Sequence, residues 1–308
     1  MPDGPLFPVH PSAPGWFRRA LAVDFDDLYV DVGGASVHYL AWGEPDRRGL
    51  VFVHGGGAQA HWWTHIAAWF ADEFRVLAID LSGHGDSDHR DSYSLEQWTD
   101  EVMAVTSTGG IRGAPVVIGH SMGGFITIIT ASLHGSELSG AIVCDSPVNE
   151  PDPEISSFRL KEAFGRPRTY ATVGDALARF RTVPPQRDYL DFVMDHVGRR
   201  SLRKAEGGYQ WKFDRRIFEQ FTVGMRSIAL PYLSSVQCRL ALLRSELGLV
   251  TPDIGRSMYE AMGRVTPVIE LPQTGHHSML DQPLVLLTAI RSLLADWDHS
   301  EPHFAERP

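Results

Sequence analysis

Residues 116–125 read Val116-Val117-Ile118-Gly119-His120-Ser121-Met122-Gly123-Gly124-Phe125. The β-branched residues at the start predict a buried strand, and the largely apolar residues 126–131 that follow predict a buried helix. Between them stands the pattern G-x-S-x-G, in the strand–turn–helix setting that gives it meaning. Glycines two residues to either side leave room for a tight turn, which lifts the hydroxyl of Ser121 clear of the sheet. The stretch therefore predicts a serine presented as a nucleophile.

Composition argues against several classes of protein. The 308 residues can bury a substantial core, as one large α/β domain or as a domain with an insertion. Acidic residues outnumber basic ones by 38 to 28, so we expect no nucleic-acid partner. No apolar run is long enough to span a membrane, and the first residues do not resemble a secretory signal. The two cysteines, Cys144 and Cys238, lie beside apolar runs, which is typical of core residues. We expect a cytoplasmic protein without a membrane partner.

Predicted strands and helices alternate along the chain. The pair Gly33-Gly34 separates two β-rich segments and predicts a hairpin turn. The later strands are almost wholly apolar, which is typical of a parallel sheet covered on both faces. Outside the strands we expect an irregular arm over residues 1–22 and helices over 59–71, 95–106 and 284–297. The predicted strands are 28–32, 36–42, 50–53, 76–80, 116–118, 140–145, 240–243 and 267–271.

Two further motifs accompany the serine. Residues 80–87 match D-x-x-G-H-G-x-S, and residues 275–283 match G-H-x-x-x-x-[DE]-x-P. Together with G-x-S-x-G, these motifs resemble those of the α/β-hydrolase fold superfamily, over roughly residues 26–298. The resemblance implies an α/β fold: a mostly parallel eight-stranded sheet with helices on both faces and an antiparallel edge made by the first hairpin.

The regular alternation breaks between about residues 147 and 235, where prolines interrupt short helical patterns. The resemblance implies that this segment is a helical cap inserted after the sixth strand. Residues 1–146 and 236–308 would then form the hydrolase core domain, and residues 147–235 the cap domain. Nothing in the sequence indicates the oligomeric state.

The family's triad order, serine then acid then histidine, implies a catalytic base late in the chain. His276 occupies the histidine position of the last motif, and the neighbouring His277 is the alternative. The same alignment makes Asp281 a residue that holds the loop. The resemblance also implies an oxyanion site beside the segment His54-Gly55-Gly56-Gly57. We expect the N–H groups of Gly56 and Met122 to supply it, with Gly57 as a substitute for Gly56.

The acid of the triad departs from the family's usual pattern. Most relatives carry an aspartate after the seventh strand, and the corresponding position holds Gly248. The fold's other solution places the acid at the end of the sixth strand, where Asp145 stands. Many relatives with an ordinary acid also have an aspartate there, so a purely structural role stays open. We favour Asp145, with Glu246 as the alternative acid.

These residues predict a cofactor-free serine hydrolase that cleaves a carboxylic ester, lactone or thioester of a small, fairly apolar substrate through an acyl-enzyme. A serine nucleophile argues against haloalkane dehalogenases and epoxide hydrolases, which use an aspartate. Three alternatives stay open: a hydrolase of C–C bonds in ring-cleavage products, an acyltransferase that excludes water, and a hydrolase-like receptor with little turnover. No metal site is expected, because Trp62 replaces the glutamate of an H-E-x-x-H pattern at residues 61–65. The residues expected to line the substrate pocket are Trp62, Trp63, Phe158 and Trp211.

Overall fold

The fold is given by a computed structural model, which describes residues 9–149, 168–220 and 225–300. Ten strands are present in this part of the chain. In chain order they are β1 (Asp26–Val32), β2 (Ala35–Trp42), β3 (Gly49–Val53), β4 (Arg75–Ile79), β5 (Val116–His120), β6 (Gly140–Cys144), β7 (Leu202–Ala205), β8 (Gly208–Trp211), β9 (Leu240–Leu247) and β10 (Val268–Gly275).

Helices connect most of these strands. The α-helices are α1 (Gly15–Leu21), α2 (Thr64–Ala67), α3 (Leu95–Thr108), α4 (Met122–Leu133), α5 (Val173–Leu177), α6 (Asp191–Arg200), α7 (Arg216–Gln220), α8 (Met225–Ile228), α9 (Leu230–Leu233), α10 (Pro252–Ala261), α11 (Ser278–Asp281) and α12 (Pro283–His299). Short 3₁₀ turns cover Ala60–Trp62, Ala68–Phe70 and Gly135–Glu137. None of the helices in the described part of the chain has the length and apolar composition needed to span a bilayer.

Eight of the strands form one sheet in the order β1-β2-β4-β3-β5-β6-β9-β10. β2 runs antiparallel to both β1 and β4, and the other neighbours are parallel. The carboxyl ends of β3, β5, β6, β9 and β10 therefore lie at one edge of the sheet, where side chains from distant parts of the sequence meet. This architecture confirms the predicted α/β fold class and its mostly parallel eight-stranded sheet.

The core forms two layers, one on each face of the sheet. Successive residues of β3 point to opposite faces, so Leu50 and Phe52 join one layer while Val51 and Val53 join the other. α1, α2 and α12 cover the first layer, and α3 and α4 cover the second. Each fully buried side chain of this size contributes roughly 1.5–3 kcal/mol. Burial on both faces explains why the central parallel strands β3, β5 and β6 are almost wholly apolar, whereas the edge strand β10 is partly exposed and carries polar residues.

Two sequence predictions need correction. The expected irregular arm contains α1, which follows Pro14 at its N-cap and buries Phe17 completely. The expected helix over 59–71 is broken into two 3₁₀ turns around α2. The break begins where the carboxylate of Asp80 accepts a hydrogen bond from the N–H of Ala60, a tertiary contact that residue propensities do not predict.

The segment between the sixth and seventh strands of the sheet, residues 147–235, is called the insertion below. Its described part holds helices, as predicted, and also the separate two-stranded sheet β7-β8, which was not predicted. The insertion contacts the loop after β4, where the phenol of Tyr93 donates a hydrogen bond to Asp214 (2.8 Å). The division into a core domain and a cap domain stays a prediction.

One buried ion pair organises the loops after β3 and β4. The Asp80 carboxylate accepts hydrogen bonds from the N–H groups of Ala60 (2.6 Å) and Asp86 (2.8 Å) and from Nδ1 of His38 (2.7 Å). The other ring nitrogen of His38 donates to Asp27 (3.1 Å). Burial alone would lower the pKa of His38, but the hydrogen bonds to Asp27 and Asp80 and their charges raise it to about 10. The imidazolium in turn holds the pKa of Asp80 below its usual value, against the effect of burial.

His38→Leu should lower the free energy of unfolding by about 3 kcal/mol near pH 6.5, because it leaves the buried charge of Asp80 without its partner. The folded-state pKa of His38, about 10, lies above the ordinary value of 6.5. The pair's contribution is therefore fully present below about pH 6.5 and is lost as the pH rises through about 10. Urea unfolding between pH 6 and 10.5 measures this, with His134→Leu at a half-exposed site as the control. A deficit that is the same at both ends of the range would contradict the assignment.

Candidate active site

Ser121 occupies the turn between β5 and α4 in a backbone conformation that L-residues rarely adopt, with φ 55° and ψ −118°. The flanking glycines are required by their surroundings. A Cβ on Gly119 would lie 2.2 Å from the carbonyl oxygen of Gly123, and one on Gly123 would lie 2.4 Å from the carbonyl oxygen of Val53. The G-x-S-x-G pattern thus reflects two close backbone approaches that hold the turn in place.

The structure brings Ser121, His276 and Asp145 together in one chain of hydrogen bonds. The Nε2 atom of His276 lies 3.0 Å from the hydroxyl oxygen of Ser121, and its Nδ1 atom lies 2.7 Å from Oδ2 of Asp145. The three residues directly follow β5, β10 and β6, so the parallel sheet delivers them to the same edge. His276 is almost completely buried. The arrangement allows the ring to take a proton from the hydroxyl while its other nitrogen donates to the carboxylate.

The carboxylate of Asp145 is buried and fully hydrogen-bonded. Its Oδ1 accepts from the N–H groups of Ser245 (3.1 Å) and Val250 (3.2 Å), and its Oδ2 accepts from the N–H of Leu249 (2.7 Å) in addition to His276. Burial alone would raise the pKa of Asp145, but the hydrogen bonds and the nearby imidazole outweigh it and lower the pKa. The group is therefore ionised at neutral pH, as an acid that orients an imidazole must be.

Gly248 and Glu246, the other positions considered for the acid, have different environments. A Cβ on Gly248 would lie only 2.3 Å from Oδ2 of Asp145, so the Asp145 carboxylate occupies the space where a side chain at position 248 would start. Glu246 is exposed, and its carboxylate accepts the N–H of Gln273 (2.7 Å). The structure thus places Asp145 against His276, whereas Glu246 contacts the neighbouring strand β10.

The glycine-rich segment after β3 lies beside the serine. A Cβ on Gly55 would lie 3.2 Å from Cβ of Ser121, and one on Gly56 would lie 3.6 Å from the sulfur of Met122. Met122 is the first residue of α4, so its N–H has no acceptor within the helix. Gly57 has a positive φ of 72°, a backbone conformation that favours glycine. These positions fit the predicted pair of oxyanion donors.

His54 and His120 hold this geometry, and the sequence analysis did not identify either role. Nε2 of His54 accepts the N–H of Leu81 (3.1 Å), and its Nδ1 donates to the carbonyl oxygen of Gly55 (2.7 Å). Nε2 of His120 donates to the carbonyl oxygen of His276 (2.8 Å). Burial lowers the pKa of both rings, to about 3 for His120, so both act as neutral hydrogen-bonding groups. No local pattern marks them, because the groups that they bind on other elements, the N–H of Leu81 and the carbonyl oxygen of His276, lie 27 and 156 residues away in the sequence.

His277, the alternative base, faces away from the hydroxyl. Its Nε2 donates to the carbonyl oxygen of Pro184 (3.2 Å), and its backbone N–H donates to Oε1 of Gln186 (2.8 Å). Burial, reinforced by the nearby His276, holds its pKa well below the ordinary histidine value. His277 therefore links the insertion to the loop that carries His276.

The expected pocket residues differ in where they lie. Trp62 contacts the His277 ring, with ring centroids 5.6 Å apart, and also Phe180, which in turn contacts Trp211 (5.3 Å). Trp63 does not line the site: it is fully buried against Phe52, because successive residues of a helical turn point in different directions. Phe158 lies outside the described residues.

Phe218, which was not predicted as a pocket residue, approaches the oxyanion loop. Its ring would lie 3.3 Å from a Cβ on Gly56. Phe213 packs edge-on against it, with ring centroids 5.7 Å apart. The insertion thus supplies aromatic side chains on the oxyanion side of the site as well as around Trp62. Their spacing in the sequence does not reveal this, because α7 and the strand before it fold back over the sheet edge.

Among the residues that the structure describes, two side-chain groups have ligand atoms close enough to be considered for a metal ion, and within each group these atoms lie within 4.8 Å of one another. One is the set of His120, His276 and His277 beside the serine. The other is the set of His38, Asp80 and Asp86 beneath the loop after β4. Both sets take part in the hydrogen bonds described above, which account for their clustering.

An eight-stranded, mostly parallel sheet with a serine on a strained turn after β5 defines the α/β-hydrolase class. Comparison with known proteins agrees, since the model of the "Alpha/beta hydrolase family" matches residues 50–289. The chain therefore belongs to the alpha/beta hydrolase family.

Several relatives are hydrolases. An esterase of Mycobacterium tuberculosis is 25% identical over 275 residues, covering 85% of this chain and 88% of that protein. An epoxide hydrolase of Mus musculus is 31% identical over 125 residues, which cover 40% of this chain and only 33% of that protein. Among solved structures, E-2-(acetamidomethylene)succinate hydrolase superposes with a TM-score of 0.79 at 19% identity, covering 88% of this chain and 100% of that chain. The thioesterase domain from the curacin biosynthetic pathway gives 0.74 at 22% identity, covering 87% and 99%. The structural likenesses show the shared fold.

The buried carboxyl group of Asp281 makes a contribution to stability that depends on pH. Its carboxylate accepts the N–H of Gly275 (2.6 Å), directly before His276. Burial raises the pKa of Asp281 from 3.8 to about 6, against the opposing effect of the backbone hydrogen bonds. The folded protein therefore binds this proton more tightly than the unfolded chain does. The group's favourable contribution is present below about pH 4 and is lost as the pH rises through about 6.

Asp281→Asn keeps an oxygen acceptor for Gly275 and removes the titration. Wild type loses this contribution between pH 4 and pH 7.5 and the variant does not, so the free energy of unfolding of the variant minus that of wild type should increase by about 2 kcal/mol over this range. Denaturant unfolding at both pH values measures the change, with the exposed Asp100→Asn as the matched control. A difference between variant and wild type that does not vary with pH would show that Asp281 titrates alike in the folded and unfolded chains.

Proposed function

We propose that the protein is a serine hydrolase that cleaves a carboxylic ester, lactone or thioester of a small, fairly apolar molecule through an acyl-enzyme. The observation that carries this proposal is the pair of hydrogen bonds that joins the Ser121 hydroxyl to His276 (3.0 Å) and His276 to Asp145 (2.7 Å). A serine hydroxyl is a weak nucleophile at neutral pH and needs an adjacent base. The base in turn needs an ionised, buried acid that fixes its tautomer.

The reaction follows from this geometry. Ser121 attacks the substrate carbonyl carbon as His276 Nε2 takes its proton, and Asp145 stabilises the imidazolium that forms. The negative charge that develops on the carbonyl oxygen is held by the N–H groups of Gly56 and Met122, a contribution of several kcal/mol. His276 then gives its proton to the leaving group. A water molecule, deprotonated by the same nitrogen, attacks the acyl-enzyme and releases the acid.

The surroundings support an apolar substrate. Trp62 contacts the ring of His277, Phe180 and Trp211 extend from Trp62, and Phe218 lies beside Gly56. These side chains near the triad and the glycine-rich segment are aromatic and uncharged. The similarity to epoxide hydrolases covers too little of the chain to carry an activity, and Ser121 replaces their aspartate nucleophile. Purified protein should be screened with p-nitrophenyl esters, lactones and a ring-cleavage dienoate. Turnover of the dienoate alone would favour the C–C hydrolase, and saturable binding without turnover would favour a receptor.

Ser121→Ala should lower turnover by about 10³-fold or more, because the attacking atom is lost while the oxyanion donors remain. A fluorophosphonate probe should label wild-type protein at Ser121, as located by peptide mass spectrometry, and leave the variant unlabelled. Ser107→Ala, at an exposed position of α3, should be labelled like wild type. Retained labelling and activity in Ser121→Ala would refute the nucleophile assignment.

Asp145→Asn should reduce kcat by about 10²–10⁴-fold, because an amide stabilises the wrong imidazole tautomer and cannot balance the imidazolium. Glu246→Gln, the matched control, should cost less than about tenfold, since its carboxylate contacts Gln273 and not His276. Steady-state kinetics on one activated ester compare the two, and circular dichroism confirms folding. The reverse order of effects would assign the acid to Glu246.

The contact between Gly248 and Asp145 allows a stronger test of the same assignment. In Asp145→Gly with Gly248→Asp, the new carboxylate starts in the space that the old one vacated. The kcat of the double variant should therefore be at least about tenfold higher than that of Asp145→Gly alone. Gly248→Asp in the wild-type background should instead be damaging, because two carboxylates would compete for one space. Equal loss in the double and single variants would mean that the position of the acid cannot be exchanged between the two strands.

A further inference from the structure

Residues 182–190 of the insertion, called the strap below, cross the loop that carries His276. Three hydrogen bonds join the two segments. The backbone N–H of His277 donates to Oε1 of Gln186 (2.8 Å), and its ring donates to the carbonyl oxygen of Pro184 (3.2 Å). The N–H of Leu190 donates to the carbonyl oxygen of Leu280 (2.9 Å). The insertion is thereby bonded directly to the loop that carries the proposed base.

Gln186 is itself held firmly within the strap. Its N–H donates to the phenol oxygen of Tyr189 (2.8 Å), which is also bonded to the hydroxyl of Thr182 (2.5 Å). Its side-chain amide donates to the carbonyl oxygen of Asp188 (3.0 Å). Both ends of the amide are therefore engaged, and its carbonyl oxygen points at His277. A side chain fixed in this way moves with the strap. The position of the strap therefore determines where the oxygen that accepts from the N–H of His277 lies.

Gln186 contacts both neighbours of His276. In addition to the hydrogen bond with His277, its side chain packs on Gly275, where an added Cβ would lie 2.8 Å from Cδ of Gln186 and 3.0 Å from Asp281. From the opposite side, His120 donates to the carbonyl oxygen of His276. The backbone of His276 is thus held between a histidine of the core and a glutamine of the insertion.

The strap also leads into a group of aromatic side chains beside the site, Trp62, Phe180 and Trp211, called the aromatic wall below. Phe180, two residues before the strap, contacts Trp62 and Trp211. Trp62 in turn contacts the ring of His277 (5.6 Å). Any substrate that packs on this wall therefore lies against the same group of residues that fixes the histidine loop.

We propose that Gln186 is a positioning residue that keeps the imidazole of His276 in line with Ser121 and Asp145. The inference rests on the proposed hydrolase function. It makes the insertion a part of the catalytic apparatus as well as of the pocket. Because Gln186 acts through the backbone on either side of His276, its loss should affect the chemical step more than substrate binding.

Gln186→Met keeps the length of the side chain and removes the acceptor oxygen. We expect kcat on an activated ester to fall about tenfold while KM changes less than about twofold, because a base displaced by a fraction of an ångström transfers the proton less efficiently. Gln210→Met is the matched control, since this half-buried glutamine of the same insertion bonds through its side chain to Thr169 and is not part of the strap. It should behave like wild type in both constants.

Gln186→Glu tests the role of the oxygen separately from folding. The carboxylate still accepts from His277, so kcat at high pH should return to within about threefold of wild type. Its negative charge favours the imidazolium, so the acid limb of kcat/KM should move to higher pH, a shift that Gln186→Met should not show. The other titratable groups around His276 are the same in all variants. They are Asp145 after β6, His120 of β5, His277 and Asp281 on the same loop, and Asp188 of the strap.

A spectroscopic measurement separates this inference from the proposed function. The proton between His276 Nδ1 and Asp145 should give a low-field ¹H NMR resonance, assigned by its absence in Asp145→Asn. We expect Gln186→Met to shift or broaden this resonance and Gln210→Met to preserve it. Wild-type protein that neither turns over any ester nor reacts with the fluorophosphonate would refute the hydrolase, and the resonance would still report on positioning. An unchanged resonance together with wild-type kcat in Gln186→Met would overturn the role of Gln186.

Discussion

The carboxylate of Asp145 is the group on which the geometry of the site depends. It receives hydrogen bonds from one N–H group near the end of β9, from two in the loop after β9 and from the ring that follows β10, while its own backbone directly follows β6. A buried carboxylate with fewer partners would cost several kcal/mol or take up a proton. Satisfying this one charge therefore requires three strand ends to meet in a defined arrangement. The position of His276 relative to Ser121 follows from that arrangement, since β5 lies next to β6 in the same sheet.

The same charge explains an absence in the sequence. Gly248 is not simply an unused position, because a Cβ there would lie within 2.3 Å of the Asp145 carboxylate. In this structure the Asp145 carboxylate occupies the space beside the histidine that a side chain at position 248 would enter from the end of β9. Glycine at position 248 leaves that space to the acid that follows β6. The two positions are therefore coupled in this protein, since a larger residue at 248 requires the carboxylate to move.

Much of the fold was predictable because its determinants are local. Apolar runs mark strands buried on both faces, and the glycines of the serine turn stand where an added Cβ would lie only 2.2 and 2.4 Å from carbonyl oxygens. The contacts of His54, His120 and Gln186 were not predictable, because each joins a side chain to a backbone group on another element and leaves no periodic pattern. The broken helix over 59–71 has the same cause, since the N–H of Ala60 donates to the carboxylate of Asp80, a residue on another element. Trp62 and Trp63 are adjacent in sequence, and only three-dimensional packing separates the one beside the site from the one in the core.

His276, the proposed base, is held by the core sheet on one side and by the insertion on the other. On the core side, Asp145 and His120 belong to strand ends that the sheet requires for its own stability, so their contacts with His276 are stabilised by the packing beneath them. On the other side, Gln186 belongs to an insertion that contributes no strand to the eight-stranded sheet in the described part of the chain and supplies the aromatic wall of the site. Under the proposed function, that wall contacts the substrate, and it is continuous with the strap. We therefore expect a change in the insertion that alters the wall to act on the histidine as well, unless the hydrogen bond from His277 to Gln186 is retained. In this proposal the residues that select a substrate and those that align the proton transfer are not independent sets, because the strap joins them.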